Sequence, residues 1–504
     1  MRRSLPPMKK PFLHFTAPKN WLNDPNGLVY HNGIYHLFYQ HNPHDVGWGQ
    51  IHWGHAVSND CLNWENRDIA IAPDNTLIHI FSGCGVIDKE NTSGFFKDSE
   101  GIILIFTGVS VDSDSKEEIE QQYIGYIDED TNQVILPENN LILKNPGYKN
   151  FRDPTVIYNF ETELWLMTLT CGDHISFYSS PDLKNWSLEE KFFPENLKEN
   201  EIIECPNLFP LLDEVKKIIW ILSFCIQNTI SKNSATCYST GQLKNNNFES
   251  VTNQFFYADY GHDFYAPQIW FQSSKTAEEV ANKALWIGWM NNWAYANSFP
   301  NIIWNGIMSI SRQLSIKTVD GIPLLSQQPI SEINSLRKKQ ISPIFGKKSL
   351  SLNFPKPAIY DINLKLHSSL SKIIKINLSE DNKQEFTINI NLKNGKIDFN
   401  RQKTSFSGMK DKNLIKKSFQ FIPPKEFIDI RLIIDLWTLE FFLFKGSIVI
   451  SEIVNWHNFP ETLVINGENL DSTTIDFSCW ELQMNLQTVH KNLNSKQIRS
   501  KGSA

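Results

Sequence analysis

The sequence predicts an all-β protein in which a five-bladed β-propeller is followed by a C-terminal β-sandwich. Short runs rich in aromatic and β-branched residues, such as GIILIFTGVSV and KIIWILSFC, fill the first two thirds of the chain and indicate strands. A weak internal repeat runs through the same part, and a strict alternation of apolar and polar residues follows it. Long helical periodicity is absent from the pattern, so these observations favour sheets throughout.

Five segments carry the repeat. AVSNDCLNWE around Ser58, YSSPDLKNWS around Ser180 and YSTGQLKNNNF around Ser239 each combine a strand, a Ser-containing turn and a Leu followed by Trp or Phe. A hairpin-like segment at Ile124–Ile135 and the segment Ile310–Ile316 fit the remaining units. A unit of roughly 60 residues repeated about five times predicts a propeller, whose inner strands surround one axial pocket.

The composition changes after the repeats, and this change predicts the domain boundaries. The propeller is predicted over residues 12–325 and a polar linker with one short helix over residues 326–345. Beyond it, segments such as YDINLKLH and FTININ alternate with a period of two, as half-buried antiparallel strands do. Residues 346–495 are therefore predicted to form the β-sandwich.

Length and composition exclude several classes of protein. The chain has 504 residues, of which 41% are hydrophobic and 20% charged, which is typical of a globular protein with more than one domain. Its net charge of -7 does not indicate a basic surface for binding nucleic acid. No apolar run is long enough for a membrane span. The N-terminus lacks the apolar core of a signal peptide, and seven scattered cysteines favour a reducing compartment. A cytoplasmic protein is predicted, or a secreted one if a leader is missing from this chain.

Three short acidic motifs indicate the chemistry. They are WLNDPNG with Asp24, FRDP with Asp153 and ECPNLF with Glu204. Proline fixes its own φ and restricts the preceding residue, so each acid lies in or beside a stiff segment. Because the motifs are far apart in sequence, a propeller with one acid per blade would bring them together at its axis.

Together the motifs resemble the three signature boxes of glycoside hydrolase family 32, which includes invertases, inulinases and levanases. The resemblance implies that Asp24 is the nucleophile, Glu204 the acid/base and Asp153 the stabiliser of the transition state. Retention of configuration requires the two reacting carboxyl groups to lie about 5–5.5 Å apart. Asp24 would form a covalent fructosyl ester, which a water activated by Glu204 would hydrolyse.

The resemblance also implies a sugar pocket. Amide side chains bond hydroxyl groups and flat indoles cover the apolar faces of sugars. The predicted substrate-binding residues are Trp21, Leu22, Asn23, Gln40, Trp48, Phe81, Ser82, Arg152 and Trp293. No metal or organic cofactor is predicted, because His52 and His55 in HWGHAV have no third ligand pattern beside them.

This sequence departs from the family pattern around the acids, which puts leaving-group preference in doubt more than reaction class. The departures are Ile203 for a Trp, Asn207 for an Asp, Cys84 for a Ser and Asn305 for an Arg. In the C-terminal domain, Asp435 and Glu440 fall where the family usually has an Asp and a Glu.

The predicted function is that of a retaining glycoside hydrolase releasing terminal β-D-fructofuranosyl units from sucrose and short fructans. Its predicted partner is a small sugar, with neither nucleic acid nor membrane, and a homo-oligomer through the sandwich domain is left open. Alternatives on the same site are an exo-levanase or exo-inulinase and a transfructosylase. An inverting hydrolase on a related five-bladed fold would place its carboxyls about 6.5–9.5 Å apart. A non-catalytic fructan-binding relative is the alternative outside enzymes.

Overall fold

The structure, a computed structural model, has the two β domains in the predicted order. It describes residues 9–97, 100–252, 254–272, 274, 276–299, 302–380, 384–404, 412–456, 458–468, 470 and 475–484. The helices in these ranges are short: α1 (Ala277–Asn282) and the 3-10 helices Ala296–Ser298, Ser331–Leu336, Gln402–Thr404 and Lys412–Leu414. None of the helices described there is long and apolar enough to cross a membrane.

Five antiparallel sheets follow one another along the first domain, and each is one blade of the propeller. Blade 1 comprises β1 (Asn20–His31), β2 (Ile34–Asn42), β3 (His52–Ser58) and β4 (Glu65–Asn66). Blade 2 comprises β5 (His79–Asp88), β6 (Gly101–Val111), β7 (Glu118–Ile127), β8 (Val134–Ile135) and β9 (Leu141–Leu143). Blade 3 comprises β10 (Phe151–Asn159), β11 (Leu164–Cys171), β12 (Ile175–Ser180) and β13 (Ser187–Phe192).

The last two blades complete the ring. Blade 4 comprises β14 (Glu201–Leu212), β15 (Ile218–Asn228), β16 (Ser234–Lys244), β17 (Asn247–Ser250) and β18 (Phe256–Tyr257). Blade 5 comprises β19 (Tyr265–Ile269), β21 (Leu285–Trp289), β23 (Arg312–Val319) and β24 (Ile322–Pro329). Two short strands from this last part of the domain, β20 (Phe271–Gln272) and β22 (Trp304–Asn305), pair in parallel with β1 and so join the end of the ring to its beginning.

The sequence repeat corresponds to the blades. The motifs around Ser58 and Ser180 lie where the third strand of blades 1 and 3 ends, and Ser239 lies within the third strand of blade 4. Ile124–Ile135 contains the end of β7 and all of β8, and Ile310–Ile316 contains the start of β23. The repeated pattern therefore marks the third strand of each blade and, in four blades, the turn after it.

The second domain consists of two packed sheets. The six-stranded sheet has the order β25-β37-β28-β33-β34-β35 and the seven-stranded sheet the order β26-β27-β36-β29-β30-β31-β32. Strands β25–β31 are Arg337–Gln340, Ile344–Phe345, Ser349–Asn353, Ile359–His367, Ile373–Glu380, Gln384–Asn391 and Lys396–Asn400. Strands β32–β37 are Lys416–Gln420, Phe427–Asp435, Thr438–Leu443, Ile448–Ile453, Thr462–Asn466 and Ile475–Leu482. The alternation predicted from FTININ is seen in β30, which buries Phe386, Ile388 and Ile390 in the core of the sandwich.

The predicted linker is more ordered than its polar composition indicated. Strand β24 continues to Pro329, past the predicted boundary at 325, and the 3-10 helix Ser331–Leu336 follows. Strand β25 then pairs with β37 of the sandwich. Ser326 and Gln327 at the start of this segment are buried, as are Ile333 and Leu336, whereas the polar residues of the 3-10 helix are exposed. Residues 485–495 of the predicted sandwich lie outside the described residues.

Buried ion pairs join the two domains. Arg312 of blade 5 has no exposed surface and donates through Nη2 to Glu440 Oε2 at 2.5 Å and through Nη1 to Asp259 Oδ2 at 3.0 Å. From the sandwich, Arg401 Nη1 lies 2.7 Å from Asp263 Oδ2 of the propeller. Breaking a buried pair leaves an uncompensated charge and costs about 3–5 kcal/mol. These contacts fix the position of the sandwich against blade 5.

His14 extends this network to the start of the chain. Its Nδ1 lies 2.9 Å from Asp435 Oδ2 and its Nε2 lies 2.9 Å from Glu440 Oε1, with all three side chains fully buried. Burial by itself lowers the pKa of His14, but the hydrogen bonds and charges of Asp435 and Glu440 outweigh it and raise the pKa to about 9. The two acids noted in the C-terminal domain therefore anchor the N-terminal segment, far from the axial pocket.

His14→Gln is expected to lower stability in a pH-dependent way. The pKa of His14 is about 9 in the folded protein, against an ordinary histidine value of 6.5, so the stabilisation is fully present below pH 6.5 and is lost as pH rises through 9. The difference corresponds to about 3 kcal/mol at the acidic end. Thermal unfolding at pH 6.5 and pH 10 measures it, with the exposed His367→Gln as control. An equal fall in Tm at both pH values would show that the His14 charge contributes nothing.

Candidate active site

One irregularity recurs in the first strand of every blade and builds the axial pocket. The register of each first strand shifts relative to its neighbour between Leu22 and Pro25, Ile80 and Gly83, Arg152 and Thr155, Glu204 and Asn207, and Tyr265 and Gln268. A bulge of this kind bends a strand and redirects its side chains. Two consecutive residues at each bulge supply the site: Asn23-Asp24, Phe81-Ser82, Arg152-Asp153, Glu204-Cys205 and Tyr265-Ala266.

Local backbone chemistry explains why the ladder breaks at these positions. Asp153, Cys205 and Ala266 have φ values of 60°, 50° and 47°, a left-handed conformation that L-residues seldom adopt, and each precedes a proline. Proline has no N–H and cannot continue the ladder. In blade 2 Gly83 takes the place of proline, and a Cβ there would lie 2.1 Å from the carbonyl oxygen of Ile105. Asp153 and Cys205, the residue after Glu204, thus have strained backbone that the surrounding sheet stabilises.

One set of contacts, around the Cys205 thiol, joins two of the predicted catalytic acids, Asp24 and Asp153. The Ser82 hydroxyl donates to Asp24 Oδ2 at 2.8 Å, and the Cys205 thiol lies 3.6 Å from the same oxygen. The same thiol lies 3.5 Å from Asp153 Oδ2, which also accepts the Cys205 N–H at 3.0 Å. Asp24 and Asp153 are 7% and 5% exposed, so these contacts replace water around both carboxyls. Blades 1, 2, 3 and 4 therefore meet at this point.

A second set of contacts holds the third acid, Glu204. Arg152 Nη2 donates to Glu204 Oε1 at 2.8 Å, and Arg152 Nη1 donates to Glu120 Oε1 at 2.9 Å. The hydroxyl of Tyr265 donates to Glu204 Oε2. Burial and the neighbouring Glu204 charge raise the pKa of Tyr265 well above its usual value, so its hydroxyl keeps its proton. Each oxygen of the Glu204 carboxyl is thus oriented by one donor.

Asp24 and Asp153 are hard to ionise. Burial raises the pKa of Asp24 to about 6; the Glu204 charge acts in the same direction, and hydrogen bonds from Asn23 and Ser82 oppose it. Burial also raises the pKa of Asp153 to about 7, against the effect of the Arg152 guanidinium. The site therefore groups these carboxyls in a poorly solvated pocket, where a carboxylate that does ionise would interact strongly with a cationic transition state.

Aromatic side chains form the walls of the pocket. Trp48 is 43% exposed, and its ring lies 5.5 Å from that of His79 and 6.3 Å from that of Phe81. The half-buried Trp293 stacks on Trp21 at 5.8 Å. Trp48, Phe81 and Trp293 thus keep accessible apolar faces, as predicted for residues that contact a sugar.

Other predicted binding residues support the site from within. The Asn23 amide donates to Asp24 Oδ1 at 3.1 Å, and the Gln40 amide donates to the Ile80 carbonyl at 3.0 Å. Trp21 and Leu22 have no exposed surface and pack in the core of blade 1. The prediction that these last two bind sugar is therefore corrected: Trp21 orients Asn23 through an Nε1 bond of 2.7 Å, and Leu22 fills the core.

The four departures from the family pattern have structural explanations. Ile203 is completely buried, and its carbonyl accepts the Thr170 hydroxyl at 2.6 Å. Asn207 donates to the Pro267 carbonyl at 3.0 Å and so ties blade 4 to blade 5. Cys84 is a buried thiol, and Asn305 donates to the carbonyls of Val46 and Ala296 at 3.0 and 2.9 Å. Asn305 therefore holds together the two loops that carry Trp48 and Trp293.

Sequence reasoning missed three parts of the site. Tyr265, the Cys205 thiol and Glu120 all contact predicted residues, yet none was singled out. For Tyr265 a signal exists, because YAP in blade 5 repeats the arrangement of NDP, RDP and ECP in which a pocket residue precedes proline. Glu120 lies on the third strand of blade 2, and no local pattern pointed to it.

The histidines of HWGHAV have structural partners. His55 stacks on Phe38 at 4.1 Å and its Nε2 lies 3.1 Å from His36 Nδ1. His52 Nδ1 lies 3.1 Å from the Gln50 carbonyl oxygen. Within the described ranges, no group of three or more His, Cys, Asp or Glu side chains has an arrangement that would hold a metal ion.

Comparison with known proteins relates this geometry to a family. Levanase of Bacillus subtilis is 37% identical over 335 residues, which are 65% of this chain and 48% of levanase. Invertase 2 of Saccharomyces cerevisiae is 36% identical over 322 residues, which are 61% of this chain and 58% of the invertase. The chain thus spans about half the length of these curated relatives.

The whole fold is shared with a solved structure. The crystal structure of exo-inulinase from Aspergillus awamori matches with a TM-score of 0.84 and 25% identity, covering 94% of this chain and 99% of that one. The model described as Glycosyl hydrolases family 32 N-terminal domain matches residues 14–329, and that described as Glycosyl hydrolases family 32 C terminal matches residues 332–481. The chain therefore belongs to glycosyl hydrolase family 32, as its three acidic motifs predicted.

Proposed function

We propose that the protein is a retaining β-fructofuranosidase that releases terminal fructosyl units from sucrose and short fructans. One observation carries the proposal: three carboxyls from three blades meet around Cys205. Its thiol contacts Asp24 and Asp153, and its chain neighbour Glu204 is bound by Arg152. Relatives named levanase, exo-inulinase and invertase support fructosyl substrates. Cytoplasmic location and oligomerisation through the sandwich stay predictions.

We propose a role for each carboxyl. Ionised Asp24 attacks C2 of the fructosyl unit, the bond from C2 to the leaving oxygen breaks, and protonated Glu204 gives its proton to that oxygen. A water molecule then gives a proton to Glu204 and attacks C2, which releases fructose and regenerates the Asp24 carboxylate. Asp153 lies against Cys205, where its charge would stabilise the oxocarbenium-like transition state.

The reacting carboxyls are held in fixed positions by their neighbours. Asp24 is held by Ser82 and Asn23, and Glu204 is held by Arg152 and Tyr265, so neither carboxyl has to be reoriented before reaction. Transfer of the fructosyl unit to a sugar acceptor would use the same ester, and only the acceptor would differ. Hydrolysis is the proposed main reaction.

Asp24→Asn and Glu204→Gln are each expected to reduce sucrose turnover by roughly a thousandfold or more while leaving folding intact. Both changes keep the shape of the side chain and remove the carboxyl function that the reaction needs. A thousandfold loss corresponds to about 4 kcal/mol of barrier lowering. Sucrose hydrolysis and circular dichroism of the purified variants are the measurements.

The matched control is Asp173→Asn, an exposed carboxyl of blade 3 whose side chain is 74% accessible. It should hydrolyse sucrose at the rate of the unchanged protein. Activity of Asp24→Asn or Glu204→Gln within about tenfold of that rate, or ~1.4 kcal/mol, would remove the assignment. A sugar-binding protein would show no turnover before any substitution.

Fructose is expected to leave first as the β-anomer. Two successive displacements at C2 restore the starting configuration, whereas a single displacement by water would invert it. Proton NMR of the first product distinguishes the two outcomes before mutarotation. Initial release of the α-anomer would mean that Asp24 does not form an ester, and the roles of Asp24 and Glu204 would have to be abandoned.

The dependence of kcat/KM on pH should be bell-shaped, with an acidic limb shifted upward. Asp24 must be ionised, and its pKa of about 6 lies near that of Asp153 at about 7, so activity should fall as pH drops through this range. The Asp24 charge is one of the causes that raise the pKa of Asp153, so the limb reports the pair. An acidic limb near pH 4 would show that neither buried acid has to ionise for the reaction.

Tyr265→Phe tests the basic limb of the dependence of kcat/KM on pH. It removes the hydroxyl that donates to Glu204 Oε2, and loss of this donor should move the basic limb of the profile to higher pH. The acidic limb should shift much less. A basic limb that stays in place would show that Tyr265 does not influence Glu204.

A further inference from the structure

A polar groove on blade 4 has no role in the site described so far. It encloses about 390 Å³, within the size range of ligand sites. Its lining includes the side chains of Asn228, Asn233, Gln254 and Tyr257. Tyr257 is 40% exposed, and Asn233 and Gln254 are also exposed.

Strand direction places this groove at the mouth of the axial pocket. Glu204 is the fourth residue of β14, and Glu201, the first residue of that strand, lines the groove. Glu201 pairs with Asn228, the last residue of the antiparallel neighbour β15, and Ser234 begins β16 at the same end. The groove and the acid therefore lie at one end of blade 4. Three residues of extended strand separate Glu201 from Glu204 by about 10 Å, a span comparable to a disaccharide.

The wall of the pocket is also continuous with the wall of the groove. Trp293 of the pocket wall donates through its backbone N–H to the Ser234 hydroxyl at 3.4 Å. Its neighbour Asn292 donates to Asn233 Oδ1 at 3.1 Å. A chain of sugars leaving the pocket past Trp293 would therefore enter the groove.

The chemistry of the groove suits neutral sugars. Exposed amides provide both donors and acceptors for hydroxyl groups, and the accessible Tyr257 ring provides a flat apolar face. The lining contains one cation and one carboxylate, Lys198 and Glu201, which gives no net charge for an anionic or cationic ligand.

We propose that this groove binds the second and third sugar units of the leaving group, counted from the bond that is cleaved. The protein would then prefer fructo-oligosaccharides of three or more units to sucrose, whose leaving group is a single glucose. The proposal rests on the proposed β-fructofuranosidase function and specifies its substrate class. It also gives blade 4 two tasks, because the strand that supplies Glu204 supplies the start of the groove.

The test compares kcat/KM for a fructose-terminated tetrasaccharide with kcat/KM for sucrose. The variants are Gln254→Ala, which changes an exposed side chain outside the core, and the double change Gln254→Ala with Tyr257→Ala. Removing a ring and an amide from the subsite should lower the value for the tetrasaccharide about tenfold, or ~1.4 kcal/mol, in the double variant. The value for sucrose should remain within about twofold, since sucrose does not reach the groove.

Tyr158→Ala is the matched control. This tyrosine lies near the end of β10 in blade 3, whereas Asp153 of the active site lies near the start of that strand. This change should leave the ratio of kcat/KM for the tetrasaccharide to kcat/KM for sucrose unaltered. An equal loss on both substrates, or no loss on the tetrasaccharide, would overturn the groove assignment. If the unchanged protein hydrolyses sucrose in the same assay, such a result refutes only the groove, whereas absence of all turnover refutes the proposed function itself.

Discussion

The site depends on one constraint: the first strand of each blade must break its ladder beside the propeller axis. In a regular strand consecutive side chains point to opposite faces, so only one residue of any adjacent pair would face the pocket. The bulge lets both residues of a pair contribute. Arg152 reaches Glu204 while Asp153 meets Cys205, and Glu204 reaches Tyr265 while Cys205 meets Asp24. Left-handed residues before proline are the local cost of this arrangement.

Burial of charge is the second condition that shapes both domains, and it is met in two different ways. At the interface between them, Arg312 and His14 are fully buried but face Glu440 and other carboxylates, so their charges are compensated. In the pocket, Asp24 and Asp153 share a thiol and a few neutral donors, and burial raises their pKa values. The interface thus uses charge to fix geometry, whereas in the pocket the effect of Arg152 on Asp153 does not outweigh burial, and the carboxyls stay available for chemistry.

Much of this organisation could be predicted from the sequence because it repeats or alternates. The third-strand motifs gave the blades, and the period-two pattern gave the sandwich. The regular structure of the linker could not be predicted, because Arg337–Gln340 is polar and becomes a strand only through pairing with Ile475–Leu482. Likewise, Trp21 and Leu22 lie in a functional motif but point into the core. Proximity in sequence to Asp24 says nothing about which face of a bulged strand a side chain occupies.

The five bulges also explain how one backbone device yields a specific reaction. Their geometry repeats, while the residues on them differ: blades 1 and 3 supply Asp24 and Asp153, blade 2 supplies a hydroxyl, and blade 4 supplies a carboxyl and a thiol. The side chains that orient the reacting groups therefore lie on fixed strands, in contact with one another. Farther from the bulges, Asn305 bonds the Val46 and Ala296 carbonyls, and Glu201 at the start of β14 lines the groove. They shape the loops and grooves around the mouth, so substrate preference can vary among proteins with this fold while the reacting carboxyls stay in place.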